Sequence, residues 1–401
     1  MATPPRPYRV AYVENNEDGT VGGSHRCLAS IVRHLDRARY EPAVVFYQNN
    51  RYVQLLRQDG IEIHVWEDRR RLEKRSEGRG RAAALTGALP AILHRTRFLR
   101  QAKIDLVHLN NSPAAGFADW LPAAMLSGVP CVAHARGGGG PGSGVGRWLV
   151  GHYDRVIAIS DHVARVWSDL GIPRHRLLRL YDAIDVEGFR ASVARSRESV
   201  RAELGWGEGL VIAAVVGHLR AWKGQDVVIA ALGAMPPNLR TQLRVVFIGG
   251  TPSDDRGYAA RLRALVASSG VADQVTFLGE RTDVADLLNA ADVFVHAATI
   301  PEPFGLVVLE AMALGKLVIA SKHGGPGEVL GPGAGLTHDP ASPSELAEVL
   351  SRVVAEPSVR KDLQVRAARR VASFGIREHV DAIQHLYDTL LRPPRTPAAS
   401  L

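Results

Sequence analysis

The sequence predicts an α/β protein made of two parallel-sheet, Rossmann-like domains, and three observations lead there. The chain has 401 residues, more than a single hydrophobic core usually serves. Its apolar runs, such as Val156-Ile-Ala-Ile159 and Val245-Val-Phe-Ile248, lack polar alternation, the pattern of strands covered on both faces. Amphipathic helical stretches separate these runs, as parallel strands joined by right-handed crossovers require.

Taken in order, the first six strands are expected at Arg9–Val13, Ala43–Tyr47, Glu62–Val65, Leu106–Leu109, Cys131–His134 and Val156–Ile159. After about residue 185 the pattern restarts, with strands at Val211–Val216, Arg244–Ile248, Val275–Leu278, Val293–Ala297, Leu317–Ala320 and Gly335–Thr337. Two sets of six make two nucleotide-fold domains, expected at 1–185 and 186–376. A last helix over Arg377–Leu391 carries Val380, Ile383, Leu386, Tyr387 and Leu390 on one face. It should stop at Arg392-Pro393-Pro394, because proline lacks the N–H and restricts its predecessor. Residues 393–401 are expected to be a disordered tail.

Composition is that of a soluble globular protein, 46% apolar and 22% charged. No apolar leader follows Met1, and the longest nearly uncharged apolar run, Leu210–Val216, is far short of the ~20 residues that span a bilayer. The chain has two cysteines, Cys27 and Cys131, neither at metal-ligand spacing from another ligand, so a disulfide framework or zinc site is not expected. A cytoplasmic location follows as the expectation. The net charge of +8 is uneven: residues 69–100 hold ten basic side chains against Glu73 and Glu77. That segment reads either as a solvated loop and helix or as a surface for an anionic membrane or acidic acceptor, worth roughly 1 kcal/mol per basic residue near charged lipid. It lacks interleaved aromatics, so no nucleic-acid partner is expected.

Residues 296–330 concentrate the chemistry. Glu302 and Glu310 stand eight positions apart, and Gly305 between them opens an apolar helix that ends at Leu314-Gly315. The helix N-terminus suits an anion, and its first two turns carry a carboxylate at each end. Glu302-Pro-Phe-Gly-Leu-x-x-x-Glu310 resembles the E-x7-E motif of retaining glycosyltransferases of family 4, and neighbouring motifs extend the resemblance over nearly the whole chain. The resemblance implies a GT-B fold, the two domains facing across a cleft, with the last helix (377–392) crossing back onto an N-terminal acceptor-binding domain and a C-terminal domain binding a nucleotide sugar.

Each motif then takes an implied role. Gly22-Gly23 would face donor phosphates and acceptor. His134, at the end of a strand, matches the family's His near the donor sugar, although a lone His is usually structural; Arg136 would project beside it. Val216-Gly-His218-Leu-Arg220-Ala-Trp-Lys223-Gly224 resembles the segment whose Arg and Lys grip the diphosphate, with His218 standing where the family has Arg and Arg220 two residues on. The backbone at Gly279 would meet the nucleobase. Glu302 would contact donor-sugar hydroxyls, the N–H groups of Phe304, Gly305 and Leu306 the sugar or phosphate, and Glu310 the ribose. His323-Gly-Gly-Pro-Gly-Glu328 resembles the following loop, whose Glu would hold it in place. Tyr181-Asp182-Ala183 departs from the family's Asn-Gly.

The implied activity is transfer of a hexose from a UDP- or GDP-sugar to a saccharide or lipid-linked acceptor in cell-envelope or exopolysaccharide synthesis, by a protein that is cytoplasmic and peripheral on the inner face of the membrane. His134, Lys223 and Glu302 are the expected catalytic residues. No Asp-x-Asp occurs in the chain, so no metal and no cofactor are expected. Rival readings are a catalytically weak scaffold of the same fold and a sugar-nucleotide epimerase. A dinucleotide oxidoreductase lacks the Gly-x-Gly-x-x-Gly turn after its first strand.

Overall fold

The computed structural model describes residues 6–14, 22–66, 81–116, 119–139, 144–252 and 255–391. The chain divides into two compact units. Unit 1 joins Met1–Asp182 to Ile376–Leu401, and unit 2 is Ala183–Gly375. The expected tail, 393–401, lies outside the described residues.

Unit 1 is built on a fully parallel sheet of strands β1 (Tyr8–Glu14), β2 (Tyr40–Phe46), β3 (Glu62–Val65), β4 (Leu106–Leu109), β5 (Cys131–Ala135), β6 (Arg155–Ala158) and β7 (Leu177–Arg179), in the order β3-β2-β1-β4-β5-β6-β7. The sequence reading missed β7. It is three residues long, half-buried and bounded by arginines, so no apolar run marks it; pairing with β6 defines it. Unit 2 carries a second parallel sheet of β8 (Val211–Val216), β9 (Leu243–Ile248), β10 (Val275–Gly279), β11 (Val293–His296), β12 (Leu317–Ser321) and β13 (Leu336–His338), in the order β10-β9-β8-β11-β12-β13. Strand order reverses between β1 and β4 in unit 1 and between β8 and β11 in unit 2. In an open α/β sheet, the crevice at the carboxyl ends of such a strand pair is where ligands bind.

The strands are apolar throughout because helices cover both faces. In unit 2, Val215, Phe247 and Val295 pack against Val228 and Leu232 of the helix Gln225–Ala234 and against Leu350 of the helix Pro343–Ala355. The helix Arg81–Gln101 of unit 1 changes the meaning of the basic segment. Arg95 is buried, pairs with Asp119 at 3.1 Å and lies over the rings of Trp66 and Trp120. Its charge therefore serves the interior, so Arg95 is not part of the solvated or anion-facing surface expected of residues 69–100. Arg97 and Arg100 are exposed. Residues 69–80, and the side chains of 81–88, lie outside the described residues.

The helix Ile376–Leu391 completes unit 1 through polar contacts as well as its apolar face. The Tyr387 hydroxyl donates to the Tyr12 hydroxyl at 2.9 Å and accepts from Nδ1 of His108 at 2.5 Å. The Tyr40 hydroxyl donates to Asp388 at 2.7 Å, and Arg39 pairs with the same carboxylate. His379 donates from Nδ1 to the Tyr181 carbonyl at 2.8 Å. His108, His134 and His379 are all buried here. Burial, then the charge of Arg136, lowers His108 to about 3. Burial lowers His379 to about 4, with Asp182 opposing and Arg136 adding. His134 is pushed well below its usual value by burial, then by Arg136.

These shifts fix a pH dependence. An unfolded His takes its proton near 6.5, whereas these three stay neutral in the folded chain well below that. The unfolded state therefore binds more protons, and stability falls as pH drops from about 6.5 toward 4, by up to about 1.4 kcal/mol per pH unit for each His. Urea unfolding of unit 1 at pH 7 and pH 5 should show this loss, and His379→Gln should flatten it; equal stability at both values would refute the account. Tyr387→Phe, which strips the shared hydroxyl and leaves His108 and Tyr12 without it, should cost about 1–3 kcal/mol in the same assay.

Candidate functional site

The strand reversal in unit 2 brings three charged or titratable side chains to one point. Beyond β8 the chain forms the short turn Ala221–Lys223, and Lys223 leans over the ring of Trp222, its Nζ 4.3 Å from the centroid. β11 ends at His296. The next loop carries Glu302 back to meet both: Lys223 Nζ and His296 Nε2 each lie 2.8 Å from the same oxygen, Glu302 Oε2.

Glycines make the convergence possible. Gly224 follows Lys223 with φ +69°, and a Cβ there would stand 1.9 Å from the Ala297 carbonyl oxygen, so the Lys223 turn can close on the exit of β11 only with glycine at that position. On the other side, Gly324 and Gly325 lie against the backbone of the Glu302 loop. Their Cβ atoms would fall 2.5 Å from the Glu302 oxygen and 2.4 Å from Phe304 Cα, and the Gly325 N–H donates to the Glu302 carbonyl at 2.8 Å.

The electrostatics follow from this geometry. Glu302, His296 and Lys223 side chains are only 17%, 8% and 21% exposed. Burial would raise the Glu302 carboxyl, but the charge and hydrogen bond of His296, followed by those of Lys223, outweigh it and hold the group well below the usual carboxylate range. The site thus presents a fixed carboxylate, one ammonium on a flexible stem and one imidazole on a strand end. Beside them starts the helix Leu306–Ala313, capped by Gly305 without a side-chain bond, whose first N–H groups favour an anion. Glu310 lies in its second turn and is buried.

The remaining sequence-predicted donor residues fall around this point in different states. His218 is exposed after β8, and its carbonyl accepts from Gln225 at 3.0 Å. Arg220 pairs with Asp255 at 3.0 Å. Gly279 ends β10 in the left-handed region, φ +68°, and is exposed. Phe304 is buried and meets Phe374 edge-on at 6.2 Å, a packing contact that anchors the start of the helix. His296 was not among the sequence candidates. As the last residue of an apolar run it looks like part of the strand, and the only available signal was a polar residue at the carboxyl end of a strand that borders the reversal.

In unit 1, Gly22 and Gly23 are exposed at the N-terminus of the helix Gly23–His34; residues 15–21 of the preceding turn lie outside the described residues. His134 and Arg136 do not project into open space as expected. Both side chains are buried, because Arg136 closes a polar network: it bonds Asp182, and its Nε donates to the Asn110 carbonyl at 2.9 Å, while Asn110 donates to Glu14 at 2.6 Å. Among the described residues, His134, Asp182 and His379 form the one group of ligand atoms close enough to hold a metal, within 4.8 Å of one another. The group does not fit one. The Arg136 guanidinium already neutralises Asp182 and lies 3.4 Å from His134 Nδ1, which must then accept and leave the proton on Nε2. A cation there would sit beside a permanent positive charge.

Comparison with known proteins agrees with this architecture. The family described as "Glycosyl transferases group 1" matches residues 196–370, and the "Glycosyl transferase 4-like domain" matches residues 22–182. A D-inositol 3-phosphate glycosyltransferase of Saccharomonospora viridis is 32% identical over 58% of this chain and 57% of its own length; the chain thus spans little more than half of such curated relatives. The lipopolysaccharide core mannosyltransferase LpsB of Rhizobium meliloti is 27% identical over 77% of this chain and 89% of its own. Among solved structures, Anabaena HepE, crystallised with UDP, superposes with a TM-score of 0.78 at 22% identity over 95% of this chain and all of its own. A glycosyltransferase from Rickettsia africae gives a TM-score of 0.81 at 17% identity, over 96% and 99% of the two chains. Two parallel-sheet units of this kind are the GT-B fold, and the chain is similar to group 1 glycosyl transferases over residues 196–370 and to the glycosyl transferase 4-like domain over residues 22–182.

Proposed function

We propose that this chain is a retaining, metal-independent hexosyltransferase that moves a hexose from a UDP- or GDP-sugar to a saccharide or lipid-linked acceptor. The observation that carries the reading is the meeting of Lys223 and Glu302 at the strand reversal of unit 2, beside the start of the 306–313 helix. The diphosphate takes Lys223 and the helix N–H groups, the donor-sugar hydroxyls take Glu302, and the ribose takes Glu310. As the glycosidic bond breaks, the leaving diphosphate gains negative charge, and a positioned ammonium and oriented N–H groups lower that barrier. The acceptor hydroxyl attacks from the leaving-group face and gives its proton to the departing phosphate, so no protein nucleophile is needed. His134 is buried beside Arg136 and steadies unit 1, the unit assigned to the acceptor. Anabaena HepE, a neighbour in fold, has been crystallised with UDP-glucose, and the LpsB relative acts in lipopolysaccharide core synthesis; both favour a nucleotide-sugar donor and an envelope saccharide.

A peripheral membrane position fits one face of unit 1. No helix among the described residues is long and apolar enough to cross a membrane. The helix Arg81–Gln101 nevertheless exposes Leu89 and Leu93, and the helix Trp120–Ser127 exposes Met125 and Leu126. Arg100 bridges the two by donating to the Leu126 carbonyl at 2.9 Å. A cavity of about 250 Å³ opens alongside, lined by Arg6, Arg100, Lys103 and Asp105. Apolar side chains interleaved with cations suit an anionic lipid surface.

The scaffold reading keeps one observation in its favour: Arg220 is engaged with Asp255, which leaves Lys223 as the cation for the diphosphate. Nucleotide release separates the two. Incubation with UDP- and GDP-hexoses in EDTA should liberate UDP or GDP when an acceptor is supplied; binding without release on any acceptor would favour the scaffold. Lys223→Ala should lower kcat/KM about 100- to 1,000-fold, and the saturating cognate nucleotide at 100 times its Kd should add about 2.7 kcal/mol of stability in thermal shift. Leu89→Glu with Leu93→Glu should abolish sedimentation with vesicles containing phosphatidylglycerol while leaving soluble-acceptor turnover intact; unchanged sedimentation would discard the membrane face.

A further inference from the structure

We infer that His296 is a positioning residue of the donor site: it holds the Glu302 carboxylate from behind, so that Lys223 can leave that carboxylate for the donor's diphosphate. This rests on the reading of Lys223 and Glu302 given above, and it concerns a residue with no role in that reading.

Both bonds to Glu302 land on one oxygen, Oε2, at 2.8 Å from Lys223 Nζ and 2.8 Å from His296 Nε2. The two partners differ in freedom. Lys223 is on a short turn, with a four-carbon stem over Trp222 and 21% of its side chain exposed. His296 is the last residue of β11, 8% exposed on its side chain, and its carbonyl accepts from His338 Nε2 at 3.2 Å. A flexible ammonium can swing to an incoming anion, whereas an imidazole fixed at both its backbone and its Nε2 cannot follow.

Consider the site as a diphosphate enters. If Lys223 were the sole partner of Glu302, moving it would strip a largely buried carboxylate of its counter-charge, which is costly. That cost would be taken from donor affinity. With His296 in place, Glu302 keeps a hydrogen bond to Oε2 after Lys223 departs, and Oε1, which takes neither bond, stays aimed for a sugar hydroxyl. The test of His296 must therefore read coupling to Glu302 and not activity alone.

The experiment is a double-mutant cycle on donor binding. Calorimetry with the UDP- or GDP-hexose that the wild-type protein binds should show about tenfold weaker affinity for His296→Ala. His296→Gln, which keeps a donor toward Glu302, should recover most of it. In the Glu302→Gln background, where no carboxylate needs holding, His296→Ala should have no further effect. An equal loss in both backgrounds would show that His296 merely supports the fold, and would overturn the inference. A second readout needs no nucleotide. In the reductively methylated protein, the dimethyl-Lys223 carbon signal should change its chemical shift in His296→Ala, because Lys223 then holds Glu302 alone. An unmoved signal would overturn the inference even if the wild-type protein proves to bind no sugar nucleotide, the outcome that would instead remove the functional reading.

Discussion

The Glu302 carboxylate is the interaction on which the candidate site depends. It draws an ammonium from the loop after β8 and an imidazole from the end of β11 onto a single oxygen, and its own backbone is pinned by Gly325 from the loop after β12. Three separate crossovers thereby agree on one position. Without the carboxylate, Lys223 would be a partly exposed lysine like many others, and His296 a buried strand-end residue lacking its partner. Ionisation of Glu302 is itself a product of this convergence, since burial alone would favour the neutral acid.

Unit 1 solves its electrostatics in the opposite way. At the carboxyl ends of β1, β4 and β5, the charges of Glu14, Arg136 and Asp182 are closed on one another through Asn110. The network is buried, and its histidines are kept neutral. Such a closed arrangement suits rigidity more than ligand exchange, because each member would be costly to uncover. The contrast assigns different jobs to the two sheets although their strand orders are so alike: one reversal point is sealed by its own side chains, and the other holds a cation that can move.

Much of this was legible in the sequence. Runs such as Val211–Val216 and Leu317–Ala320 identify themselves because a strand covered on both faces has no polar residues to interrupt it. The strand Leu177–Arg179 does not, because its existence depends on pairing with β6. The pair of glutamates and Lys223 stood out by spacing and by resemblance. Their mutual contact did not, since residues 223 and 302 are joined only by tertiary structure. His296 escaped for the same reason. Arg95 and His134 show the reverse error. Each sits in a segment whose composition suggests exposure, a basic stretch and a glycine-rich strand exit, and each is buried by partners distant in sequence: Asp119 for Arg95, Asp182 and His379 for His134. Burial of a charge is a pairwise property that local composition does not report.

The discontinuity of unit 1 sets an order on biosynthesis. Its last helix, Ile376–Leu391, supplies the hydroxyl and carboxylate that Tyr12, His108, Tyr40 and Arg39 require, yet it leaves the ribosome only after all of Ala183–Gly375. The N-terminal sheet, though translated before unit 2, must wait with part of its apolar surface uncovered until Ile376–Leu391 has been made. Unit 2, contiguous in the chain, is free to fold meanwhile. The nascent chain is therefore expected to lean on chaperones through its first half, and premature termination anywhere before residue 376 would release an N-terminal unit that lacks its closing helix.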